Sequence, residues 1–103
     1  MKYFFLRHGQ AGWDAPSDAA RQLTPKGEHD VCEVIKHHQT QLAGIELIVH
    51  SPMVRARQSA YLAGQWLNVS QYVEDIHWTP NRSIEEAYAA LETYQNTHIL
   101  VVG

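Results

Sequence analysis

Four strand-like runs separated by helix-like segments constrain this chain more than any other feature. Lys2–Leu6 is aromatic-rich and shows no alternation, which predicts a strand buried on both faces. Ile45–Val49 is a second apolar run, a short strand is expected within Tyr72–Trp78, and Thr97–Val102 is strongly β-branched. Residues 10–23 read as a loop, with Asp14, Pro16, Ser17 and Asp18 as turn formers. Thr24-Pro25 predicts an N-cap followed by a first-turn proline. Val31, Ile35, His38 and Leu42 then form one stripe of an amphipathic helix that Gly44 ends. Ser51-Pro52 repeats the start signal for a helix from Pro52 to about Leu67, with Ala56, Ala60, Ala63 and Leu67 on its packing face. Ser83 and Glu86 have capping-box spacing, which starts a third helix running to about Tyr94.

This rhythm predicts an α/β fold: one domain over residues 1–103, three-layer α/β/α, with a mostly parallel sheet. A chain of 103 residues has room for one such domain. The last run meets Gly103 with no helix after it to cover it, so a domain incomplete at its C-terminus is expected. In open α/β sheets, functional groups gather beyond the carboxyl ends of the strands.

Composition removes several function classes. Hydrophobic residues make up 45% and charged residues 18%, an ordinary globular balance. Eight Lys and Arg against eleven Asp and Glu leave a net charge of −3, unlike a nucleic-acid-coating protein. The single cysteine, Cys32, excludes an intrachain disulfide framework and a cysteine zinc cluster. The apolar run at residues 3–6 is too short for a signal peptide or a membrane span, so a cytoplasmic protein is expected.

The residues that carry chemistry sit at predicted strand ends. In Leu6-Arg7-His8-Gly9, a guanidinium that can grip two phosphate oxygens stands beside an imidazole. Its positive charge favours neutral His8, and Gly9 leaves room for a substrate. The bland alternative is a histidine that only caps a strand. In Ser51-Pro52-Met53-Val54-Arg55-Ala56-Arg57-Gln58-Ser59-Ala60, Arg55 falls in the first turn of the second helix, beside its partial positive end. Alone, Arg55 reads equally as an exposed arginine, and Arg57 reads as a solvated charge.

Taken together, the two motifs resemble the histidine phosphatase superfamily, the phosphoglycerate-mutase-like proteins. Its motifs are Leu-Arg-His-Gly and Ser-Pro-x-x-Arg-Ala-x-Gln-Thr, and Ser59 stands here in place of the threonine. Arg21-x-Leu23-Thr24-x-x-Gly27 is similar to a third family segment. Without a large insertion, the chain is most similar to the small bacterial phosphohistidine phosphatase branch. The resemblance implies a cofactor-independent phosphatase in signal transduction, hydrolysing phosphate from a protein histidine through a phospho-His8 intermediate. Arg7 and Arg55 would neutralise the equatorial oxygens of a loose transition state. Gly9, Arg21, Ser51 and His50 are the candidate substrate-binding residues. Arg21 is open between edging the pocket and anchoring its loop, and His50 between a share in the site and a strand-end polar residue.

The family's second histidine would follow Gly103 directly, so full catalytic power in this chain alone is in question. Glu85 and Glu86 are candidate acids, although a capping box and the helix dipole account for both. An imidazole leaving group needs such an acid less than an alkoxide does. His29, His37 and His38 share a predicted helix without the i, i+4 spacing of a metal pair, so no metal site is expected. Trp13, Trp66 and Trp78 read as core or rim packing. The implied partner is a phosphorylated protein such as a histidine-containing phosphotransfer domain, met by the loop from Gln10 to Gln22. Nucleic acid and membrane are not expected, and the oligomeric state is open. The alternatives are a small phosphomonoesterase of the same superfamily and a catalytically impaired phosphate-binding fragment.

Overall fold

The structure, a computed structural model, describes residues 2–95 and 98–103. Its elements in chain order are β1 (Lys2–Leu6), α1 (Pro25–His37), β2 (Leu47–His50), α2 (Val54–Leu67), β3 (Tyr72–Glu74), α3 (Ile84–Leu91) and β4 (His98–Val102). Short 3-10 turns lie at Asp18–Ala20 and Ile76–Trp78. The strands form one sheet in the order β1-β4-β2-β3, with every pairing parallel. Thr97, expected to open the last strand, lies outside the described residues.

Side-chain alternation along the strands divides the interior into two cores. Ile48, Leu100 and Val102 point to one face and meet Val31 and Ile35 of α1 and Ala56, Ala60 and Ala63 of α2. Leu47, Val49, Ile99 and Val101 point to the other face and meet Leu91 of α3. The three alanines of α2 are fully buried, so its backbone lies close against the sheet and α1. The expected α/β architecture, helices on both faces of a parallel sheet, is the observed one.

Local signals hold where the chemistry is local. Thr24 caps α1, its hydroxyl accepting from the Gly27 N–H at 3.0 Å, with Pro25 in the first turn. Ser83 caps α3 by accepting from the Glu86 N–H at 3.3 Å, but its hydroxyl donates to Glu85.

Four expectations need correction. β1 is an edge strand rather than one buried on both faces, and Phe5 is 52% exposed beside Trp78 and Tyr88. α1 stops at His37 rather than near Gly44; residues beyond it turn through mixed i→i−3 and i→i−4 bonds, leaving His38 exposed and Leu42 buried. α2 begins at Val54, not Pro52, because the Ser51 N–H is still held by the sheet, donating to the Val102 carbonyl at 3.2 Å. α3 ends at Leu91, and Tyr94 instead reaches Asp75 with its hydroxyl at 3.2 Å.

Candidate active site

A parallel sheet places all its carboxyl ends on one edge. The pairing of β1 with β4 runs past both strands: the Gly103 N–H donates to Leu6 at 3.2 Å, and the His8 N–H donates to Gly103 at 3.1 Å. His8 therefore leaves the sheet at a fixed height, with Ser51 held one strand further on.

Two glycines set the next contact. A Cβ on Gly9 would lie 2.5 Å from the Gly27 carbonyl oxygen, and one on Gly27 would overlap the Gln10 carbonyl. Only this bare backbone lets the first turn of α1 press against the segment after His8. Ser59 of α2 completes the clamp, accepting from the Gly9 N–H at 3.1 Å and donating to the Arg55 carbonyl at 2.8 Å. Gln58 accepts from the Leu23 N–H at 2.8 Å and holds the far end of the loop.

These supports fix the state of the imidazole. The Arg55 Nε–H donates to His8 Nε2 at 3.3 Å, and a guanidinium can only donate. Nε2 is thus the acceptor, and the proton belongs on Nδ1, which donates to the Gly9 carbonyl at 2.8 Å. Burial lowers the His8 pKa from its ordinary value, the Gly9 carbonyl partly opposes this, and the charges of Arg55, Arg7 and Arg21 lower it further. The result is a neutral ring with its Nε2 lone pair directed at a guanidinium.

Arg55 is itself buried and fully oriented. Its Nη1 donates to the Asp18 carbonyl at 2.8 Å and its Nη2 to Asp18 Oδ2 at 3.2 Å. Arg7 is exposed, has no hydrogen-bond partner among the described residues, and lines a depression of about 170 Å3 with His8, Gly9, Asp30 and Val34. One arginine is held from within and one is free to reach outward.

The remaining candidates divide. Arg21 anchors its loop, donating to Gly12 at 2.9 Å, Ala11 at 3.1 Å and Asp18 at 3.1 Å, with its guanidinium 3.6 Å above the Trp13 ring. Trp13 itself is 82% exposed at the rim. His50 is buried, its Nδ1 donating to the Ser51 carbonyl at 2.9 Å, and its ring meets Tyr61 rather than His8. Glu85 is held by Ser83, and Glu86 lines a separate groove with Asp75 and His77. Among the described residues neither glutamate hydrogen-bonds or pairs with His8, Arg7 or Arg55. Glu85 is also held below the ordinary glutamate value by hydrogen bonds to backbone and Ser83, the wrong direction for a general acid.

Sequence reasoning missed Asp18, whose pairing with Arg55 spans 37 positions and leaves no local signal. The supporting work of Gln58 and Ser59 was signalled only by their place in the second motif. Among the described residues no group of three or more His, Cys, Asp or Glu is placed to hold a metal ion. No helix among them is long and apolar enough to cross a membrane.

The sequence model of the histidine phosphatase superfamily (branch 1) matches residues 3–79. The chain belongs to this superfamily. Phosphohistidine phosphatase SixA of Escherichia coli strain K12 is 31% identical over 103 residues, which cover 99% of this chain and 64% of that protein. The chain thus spans slightly under two thirds of its curated relative's length. The solved structure of the protein histidine phosphatase SixA complexed with tungstate superposes with a TM-score of 0.91 at 31% identity, covering 100% of this chain and 69% of that one. A structure from Agrobacterium tumefaciens that carries the SixA name gives 0.79 at 25% identity, covering 98% of this chain and 67% of that one. Within the superfamily pattern, Leu6–Gly9 and Ser51–Ser59 are the two motifs that meet here at the His8–Arg55 contact.

Proposed function

We propose that the chain carries the nucleophilic part of a phosphohistidine phosphatase site, acting on a phosphorylated protein. The observation that carries this reading is the His8 ring: neutral, with Nδ1–H tied to Gly9 and the Nε2 lone pair turned to Arg55. In the first step Nε2 attacks phosphorus in line while the bond from phosphorus to the substrate's imidazole nitrogen breaks. That nitrogen keeps the electron pair, and the ring leaves as neutral imidazole because its other nitrogen carries a proton, as Nδ1 does in His8. Water then attacks phospho-His8, releasing inorganic phosphate and returning the lone pair to Nε2. Arg55 and the outward Arg7 stabilise the equatorial oxygens in both steps.

Two further observations support the reading. The solved relative is complexed with tungstate, a tetrahedral oxyanion of the kind Arg7 and Arg55 suit. The depression lined by Arg7 and His8 is small, about 170 Å3, which suits a phosphohistidine presented on the surface of another protein, such as a histidine-containing phosphotransfer domain, better than a bulky free substrate. Among the described residues no protonated acid donates to Nε2, and Asp18, on the same guanidinium, is charged at neutral pH, as an imidazole leaving group permits.

The test follows phosphate released from such a phosphorylated domain, together with base-stable label retained on this chain. Label on the wild type but not on His8→Ala is the expected result. Absence of both label and release overturns the enzyme reading and leaves a phosphate-binding protein. Strong slowing by Glu85→Gln or Glu86→Gln favours a phosphomonoesterase.

A further inference from the structure

Asp18 stands where an incoming anion should. Its carboxylate bridges Arg55 Nη2 at 3.2 Å and Arg21 Nη1 at 3.1 Å. Its own backbone carbonyl takes Arg55 Nη1 at 2.8 Å, so that half of the grip needs no charge. Arg55 is almost wholly buried while the Asp18 side chain is 59% exposed. The carboxylate therefore covers the solvent side of the one buried guanidinium that touches the nucleophile.

Charge makes this arrangement unfavourable for a phosphoryl group. A dianion reaching Arg55 would come within a few ångströms of a second anion held on the same guanidinium. The Asp18 carboxyl lies below the ordinary aspartate value, through its hydrogen bonds to Arg21 first and Arg55 second, so it is charged at neutral pH. A purely structural loop anchor would not need to be ionic, because the Asp18 carbonyl already holds Arg55.

We infer that Asp18 is an internal anion that competes with the substrate's phosphoryl group for Arg55 and must swing off Nη2 for that group to bind. The inference rests on the phosphate-site reading of His8 and Arg55, and deepens it. Asp18 is thus a positioning residue that sets oxyanion affinity: it keeps Arg55 aligned on His8 in the free protein and is exchanged for phosphoryl oxygens on binding.

Sulfate is the probe, since it stays a dianion across the working pH range. Its affinity is measured by calorimetry at fixed ionic strength for the wild type, Asp18→Asn and Arg55→Gln. Asp18→Asn keeps the shape and the backbone contact and alters an exposed side chain, so folding should survive. Removing one like charge at contact range predicts sulfate binding roughly tenfold tighter. The reciprocal effect is read by carboxyl carbon NMR: saturating sulfate moves the Asp18 titration upward in the wild type, because the carboxylate loses Arg55 and gains an anionic neighbour. Sulfate bound equally or more weakly by Asp18→Asn, or an Asp18 titration that sulfate does not move, overturns the inference. Sulfate affinity unchanged in Arg55→Gln overturns the phosphate-site reading itself, and so separates the two failures.

Discussion

Gly27→Ala sets two well-known effects against each other. Gly27 lies in the first turn of α1, and helix propensity alone favours alanine by up to about 1 kcal/mol. The structure opposes this, because a new Cβ would overlap the Gln10 carbonyl oxygen and lie 2.9 Å from its nitrogen and 3.0 Å from its carbon. All three are backbone atoms, which no rotamer change relieves. Ordinary contact needs about 3.5–4.0 Å, so the Gln10 peptide must recede by roughly 1.5 Å. Overpacking of this kind costs about 1–3 kcal/mol. The shift also strains the bond from the Thr24 N–H to the Gln10 carbonyl, at 3.0 Å, which contributes about 1 kcal/mol. The net expectation is a loss of about 2 kcal/mol, or on the order of 10 °C in Tm for a domain of this size. Thermal and urea unfolding followed by far-UV circular dichroism measure it. Gly12→Ala is the control, since a Cβ there meets nothing closer than 3.8 Å and should change stability by less than about 0.5 kcal/mol. The displaced Gln10 peptide adjoins Gly9, so labelling of His8 should fall as well. A Gly27→Ala protein as stable as wild type would show that propensity outweighs the contact, and would refute the claim that this close approach fixes the segment after His8.

Two other expectations concern the same machinery. The His8 titration, followed by nitrogen NMR, should have its midpoint below the ordinary imidazole value. Arg55→Gln should raise that midpoint only part of the way back, because burial is the larger cause and remains; a fall would contradict the assignment of the charge effect. Ser59→Ala strands the buried Gly9 N–H and should cost about 1–3 kcal/mol in urea unfolding. Ser59→Thr keeps the hydroxyl and should recover most of that loss, and a failure to recover it would assign the cost to packing.

Where the determinants were near neighbours, the sequence could be read. Thr24 and Pro25 start α1 because the capping hydroxyl and the Gly27 N–H that donates to it are three residues apart. The same reasoning placed the start of α2 two residues early, since Ser51 belongs to the sheet through Val102, 51 positions away. Phe5 looked like core, yet on β1, at the edge of the described sheet, it is 52% exposed beside Trp78 and Tyr88, a placement no window around Phe5 reports. In the site, His8, Arg7 and Arg55 were identifiable because each stands in a short motif at a strand end. Asp18 read as a turn former, and only the fold of the loop brings it onto Arg55. Glu85 and Glu86 are carboxylates near a helix start, yet Glu85 is bonded to Ser83 and Glu86 lines a groove with Asp75 and His77 rather than with His8.

The amino-acid sequence by itself determined which segments become strands and helices, and which side chains could carry phosphoryl chemistry. Periodicity, caps and prolines act over a few residues, and the chemical identity of a side chain does not depend on its surroundings. The tertiary structure decided the strand order β1-β4-β2-β3, the tautomer of His8, and the anion that rests on Arg55. Each of these depends on contacts between residues far apart in the chain. The lone pair of His8 faces a guanidinium only because β1, β4 and β2 end side by side and α2 starts where they end.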